Sequence, residues 1–185
     1  MIFILGRCQF LSYILQKRIS QIFIEQVSKR GFNHVSVASL MKKGNIRRQT
    51  FYDNFKDKYN LLEWTIRSMM EDDIISNLDY LSWEEIVPLV FYDIEINAKF
   101  FRSVIADQTE VDVVKEISLY MSTLLLHILE TKGLVKNDQA RDFVETYSLG
   151  MTYTMTNNLY KPHPKEYDEL SKKVVNAIYF TFKYY

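Results

Sequence analysis

Asn45-Ile46-Arg47-Arg48-Gln49-Thr50-Phe51-Tyr52-Asp53-Asn54-Phe55 is the stretch whose reading decides the fold. Wound as a helix, it puts Phe51 and Phe55 four residues apart on one inward face. Arg47, Arg48, Gln49 and Tyr52 are then left on or beside the outer face. Arginine, glutamine and tyrosine on a short exposed helix supply the donors that read base edges and hold phosphates. Immediately upstream, Ser36-Val37-Ala38-Ser39-Leu40-Met41-Lys42-Lys43 reads as a second short helix, with Ser36 as N-cap and a Gly44-Asn45 break behind it. Two short helices joined by such a turn make a helix-turn-helix, whose second helix enters the major groove.

Working outward, Leu15, Ile19, Ile22, Phe23 and Val27 follow helical spacing, giving a first helix over about 12–30 that ends at Gly31. Asp57 is a candidate cap for a fourth helix, whose apolar face runs through Leu61, Leu62, Ile66, Met69 and Met70 to about Ile75. Ser82-Trp83-Glu84-Glu85 has the spacing of a capping box and opens a helix to about Ile96, with Pro88 carried in its early turns. Further helices are expected over about 97–106, 110–131 (closed by Gly133), 138–160 (capped by Asn137 and broken by Pro162 and Pro164) and 165–183. The expectation is an all-α chain of about nine helices. Its helix-turn-helix domain spans 11–56, and a C-terminal helical regulatory and dimerisation domain spans 57–185. Residues 1–10 form an extension of unsettled status, a short helix or a start codon placed too far upstream.

The 185 residues suffice to bury a core, and a hydrophobic fraction of 48% points to a folded chain. Five glycines and three prolines favour long helices over a turn-rich sheet protein. The net charge of zero hides a split: residues 1–70 carry 12 Lys and Arg against 4 Asp and Glu, residues 71–185 carry 11 against 19. A basic first third on an acidic remainder suits a polyanionic partner for the first part alone. The lone Cys8 excludes an internal disulfide framework and a cysteine-rich zinc site, and suits a reducing cytosol. The apolar start Met1-Ile2-Phe3-Ile4-Leu5 is too short for a signal core or a membrane span, so a cytoplasmic protein without membrane partners is expected.

Gly44-Asn45-Ile46, Thr50-Phe51-Tyr52-Asp53-Asn54-Phe55 and Lys58-Tyr59-Asn60-Leu61-Leu62 together resemble the signature of the TetR/AcrR transcriptional regulators. The longer string Ile46 to Tyr52, with Leu61-Leu62-Glu63-Trp64, is similar more narrowly to the dihydroxyacetone-kinase regulators of Firmicutes. The resemblance implies that Ser36, Thr50, Tyr52 and Lys58 join Arg47, Arg48 and Gln49 in holding DNA, with Lys58 facing the backbone from a helix N-terminus. It also implies a homodimer on a pseudo-palindromic operator, its two subunits joined by their last two helices through Gly150, Thr154, Tyr179 and Phe182. Two departures stand out. Asn45 occupies a place where glycine is commonest, which asparagine tolerates because it accepts the left-handed conformation. Arg47 replaces a serine cap and opposes the helix dipole, a cost that a phosphate or guanine would offset.

His34, His127 and His163 have no paired metal-ligand spacing, and no phosphate loop, nucleophile elbow or CxxC appears. Neither an enzyme, a metal nor a cofactor is expected. Phe91, Tyr92, Phe100, Phe101, Tyr120, Met121, Tyr147 and Met151 supply aromatics and sulfur for an apolar ligand pocket, although a helical core needs the same residue types. Two modes of control follow: a small molecule in that pocket or, as the narrower resemblance implies, an activator governed by a kinase-like partner protein docking on the C-terminal domain.

Overall fold

The computed structural model describes residues 2–133 and 138–183, apart from the side chains of residues 2–10, 138–139 and 182–183. Nine α-helices and no strands appear among them: α1 (Ile2–Arg30), α2 (Val37–Gly44), α3 (Arg48–Tyr52), α4 (Lys58–Asp73), α5 (Trp83–Ile96), α6 (Ala98–Ala106), α7 (Val113–Thr131), α8 (Asp138–Asn158) and α9 (Tyr167–Lys183). The all-α expectation is met, and most boundaries lie within two residues of those read from periodicity. Asn137, the cap expected for α8, lies outside the described residues.

Helices α1, α3 and α4 depart from the expected bounds. Helix α1 runs unbroken from Ile2 instead of starting near residue 12. Helix α4 stops at Asp73, because the Asn77 side-chain amide donates to the carbonyls of Asp72 (2.9 Å) and Asp73 (3.0 Å) and turns the chain into a 3-10 turn at Ile75–Asn77. Helix α3 is only five residues long. Its last turn tightens as Asn54 N–H and Phe55 N–H both donate to the Phe51 carbonyl, while the Asn54 amide donates to the Thr50 carbonyl. Phe55 therefore leaves the helix but stays inside, its ring 5.5 Å from that of Phe51.

One apolar core is continuous from α1 to α9. Ile19, Phe23 and Val27 of α1 bury against Phe32, Leu40, Phe51, Leu61 and Leu62, and the same core continues through Phe91, Phe100, Phe101, Met121 and Met155. Helix α7 lies along α8, α5 along α9, and α4 is shared, touching α1 on one side and α7 and α5 on the other. Each fully buried Phe or Leu contributes about 1.5–3 kcal/mol of transfer free energy, so this stripe holds the short helices α2 and α3 against α1 and α4. Among the described residues no helix is long and apolar enough to cross a membrane.

Candidate nucleic-acid interface

Ser36 caps α2 as its position suggests. Its hydroxyl accepts from Ser39 N–H at 3.2 Å, and the Ser39 hydroxyl accepts from Ser36 N–H at 3.1 Å. Such a cap is worth about 1 kcal/mol. At the other end, Asn45 takes the left-handed conformation, φ 50° and ψ 45°. Ile46 N–H donates to the Met41 carbonyl at 3.0 Å and Asn45 N–H to the Lys42 carbonyl at 3.3 Å. These paired bonds form a Schellman closure with asparagine in the usual glycine place. Gly44 leaves room for two isoleucine tips: a Cβ there would stand 2.8 Å from Ile22 Cδ1 and 3.0 Å from Ile46 Cδ1, so these methyls would have to shift. Its carbonyl accepts from Arg18 Nη2 at 3.1 Å, tying the turn to α1.

Arg47 is the N-cap residue of α3 without a side-chain cap bond, as expected from the missing serine. Arg47, Arg48 and Gln49 are all exposed, Thr50 is half-buried and Tyr52 is 45% exposed. Arg48 Nη2 reaches the Tyr52 hydroxyl at 3.1 Å, and Gln49 Nε2 donates to Asp53 Oδ1 at 2.9 Å. Arg48 and Gln49 are thus each paired with a residue one turn on. Lys42 and Lys43, on the exposed last turn of α2, and Lys56 add cations around α3. Lone surface lysines carry no pattern, so nothing in the sequence singles them out.

Lys58 opens α4 beside the Asp57 cap, which accepts from Tyr59 N–H and Asn60 N–H, both at 2.8 Å. Its side chain lies along the 3-10 turn at Phe32–His34. The ammonium donates to the carbonyls of Phe32 (3.3 Å) and Val35 (3.5 Å) and stands 4.2 Å from the Phe32 ring centroid. Burial holds the ammonium below the usual lysine range. The turn's part in holding Lys58 left no signal in the sequence.

The residues considered for a ligand pocket divide. Phe91, Phe100, Phe101, Met121 and Met151 are buried and pack in the core. Tyr92 is corrected: it is 57% exposed on the outer side of α5, because its neighbour Phe91 takes the inward position. Tyr147 is half-buried and stacks on Phe143, 5.1 Å between centroids. Tyr120 borders a recess of about 300 Å³ between α4 and α7 with Arg67, Glu71 and Glu116. Burial, followed by the Glu71 charge, pushes its phenol up to about 12. On α8, Gly150 is exposed with no atom within 4 Å of a built Cβ, and Thr154 donates to its carbonyl at 2.8 Å. Tyr179 is half-exposed, packs at a tilt against Trp83 with 5.0 Å between ring centroids, and donates to Glu84. The Phe182 side chain lies outside the described residues. His127 is half-buried on α7, and no group of His, Cys, Asp and Glu among the described residues is arranged to hold a metal.

A basic helix-turn-helix on an acidic helical body defines the class, and the chain resembles the TetR/AcrR-like helix-turn-helix regulators. It is 30% identical over 93 residues to the HTH-type dhaKLM operon transcriptional activator DhaS of Lactococcus lactis subsp. lactis (strain IL1403), a match covering half of this chain and half of that protein. A solved dihydroxyacetone kinase operon activator DhaS superposes with a TM-score of 0.80 over 94% of this chain and 98% of its own, at 19% identity. The fatty acid degradation regulator FadR from Bacillus halodurans superposes at 0.62, also at 19% identity, over 86% and 91%. No family model matches. The resemblances are to transcriptional regulators and not to a catalytic domain.

Proposed function

We propose that this protein is a DNA-binding transcriptional regulator that acts as a homodimer and is switched by a partner protein docking on its C-terminal domain. The helix-turn-helix domain spans 11–56 and the regulatory domain 57–185. Arg47, Arg48 and Gln49 read bases in the major groove, arginine on guanine O6 and N7, glutamine on adenine N6 and N7. Ser36, Thr50, Tyr52 and Lys58 hold phosphates and set the register. Gly150, Thr154, Tyr179 and Phe182 of α8 and α9 line the contact with the second subunit, whose two-fold requires a pseudo-palindromic operator.

The observation that carries this function is α3 itself, where Arg48 and Gln49 are each held by a neighbour one turn away on an exposed basic face. Control by a partner protein, with transcription activated, is favoured over a small molecule on two grounds. The relative matched in sequence is an operon activator. Phe91, Phe100, Phe101 and Met121, the core of the pocket considered, are each 0% exposed and spent on packing.

The test is binding of the purified protein to DNA from upstream of its own gene and neighbouring genes, against random duplex, at several salt concentrations. Preference on the order of a thousandfold or more supports a specific regulator. Equal, steeply salt-dependent binding to both, with and without proteins co-expressed from neighbouring genes, counts against it.

A further inference from the structure

Phe32 is held from two directions. Its N–H donates to Ser103 Oγ of α6 at 2.8 Å, while its carbonyl and ring hold the Lys58 ammonium at 3.3 Å and 4.2 Å. The Ser103 hydroxyl has one proton, and Asp107, one turn along α6, accepts it. Its lone pairs are thereby turned toward Phe32 N–H. Gly31, at φ 82°, makes the bend that brings this N–H to α6; a residue with a Cβ is strained there. A second, apolar line joins the same elements: Phe32 meets Phe23 at 6.1 Å, and Phe23 meets Phe100 of α6 at 5.9 Å.

Lys58 has three ammonium protons, and two are directed at the carbonyls of Phe32 and Val35. The third remains for another acceptor, and the turn that holds the ammonium leads directly into Ser36, the cap of α2.

We propose that Ser103 is a positioning residue for DNA binding: through Phe32 it fixes the turn that aims Lys58, so a movement of α6 alters the phosphate contact of the reading head. This rests on the DNA-binding function proposed above. It adds a route from the C-terminal domain to the DNA that does not pass along α4.

The test is a double-mutant cycle on binding to the chain's own upstream DNA, with thermal melting followed alongside. Ser103→Ala is expected to weaken binding about threefold to tenfold and flatten the salt dependence by up to ~0.9, the slope of one phosphate. In a Lys58→Ala background the same change should cost less than about twofold, since coupled residues are non-additive. Ser103→Thr, which keeps the hydroxyl, should restore binding. Asp107→Ala, at an exposed residue, should act in the same direction as Ser103→Ala and covers the case in which the latter fails to fold. Equal losses in both Lys58 backgrounds, or a Ser103→Thr as harmful as Ser103→Ala, overturn the inference while leaving DNA binding in place. A native chain that binds no DNA overturns the function itself, and this inference with it.

Discussion

Arg48 and Tyr52 form a pair on the exposed side of α3: the guanidinium donates to the tyrosine hydroxyl at 3.1 Å and lies 5.5 Å from its ring centroid. A long side chain held in this way loses less freedom when it meets a base, and its fork stays planar and directed. Tyr52 is itself steadied edge-on by the buried Phe51, 5.4 Å away. The core therefore reaches the exposed basic face of α3 through two rings and one arginine. Arg48→Ala is expected to cost about 1–3 kcal/mol against the preferred base at one operator position and to relax preference there. Competition binding with operators varied at single positions measures it. A uniform loss at every position would move Arg48 to the phosphate group of contacts.

Lys58→Ala should behave differently. The residue touches backbone carbonyls and an aromatic face, not α3, so its removal is expected to weaken all sequences alike. The log-log salt slope should fall by about 0.9 for the one phosphate lost. A change in which sequence is preferred would contradict this division of roles.

Asn45 offers a check on the turn. Its φ of 50° lies where only glycine is free of strain. Asn45→Gly is therefore expected to leave stability equal or raise it by up to about 1 kcal/mol. Asn45→Val, a β-branched residue forced into that region, should lower it by about 1–2 kcal/mol. Urea denaturation of the three chains decides, and a neutral Asn45→Val would mean that the turn does not need the left-handed conformation.

How much of this was legible in the sequence depended on the range of the signal. Helix caps are local, so Ser36 and Asp57 could be read from their own few neighbours. The outward placement of Arg47, Arg48 and Gln49 followed from the inward pull of Phe51. The length of α3 could not be read, because Asn54 ends it with a bond to a backbone carbonyl that no periodicity foretells. Nor could the resting place of Lys58, which needs a turn 26 residues upstream and α6 farther along the chain. Gly44 and Asn45 look like a single turn signal but act separately: the glycine gives room to Ile22, and the asparagine supplies the positive φ. Tyr92 misled because one face of α5 can bury only one of two adjacent aromatics.

Asp73 gives the stability of the fold a definite pH dependence. It ends α4 with Oδ2 buried and without a hydrogen-bond partner. Burial first, then the charges of Asp93 and Asp72, push its carboxyl up to about 8, while Lys17 works in the opposite direction. Lys17 is largely engaged elsewhere, with Asp72 and the Ser68 carbonyl. Asp93 accepts from the Asn97 amide at 3.0 Å and is itself raised by burial. In the unfolded chain Asp73 titrates near its ordinary 3.8, so between there and about 8 the folded state holds the proton more tightly. Its contribution to stability is full below 3.8 and is lost as the pH climbs to about 8. Asp73→Asn, neutral at every pH, should melt close to the native chain at pH 4 and above it at pH 8, by at least the roughly 2–4 °C that 1 kcal/mol gives in a chain of this size. Comparing the two chains at each pH cancels the titration of the other carboxylates. An equal gain at both pH values would trace the effect to packing and not to the proton.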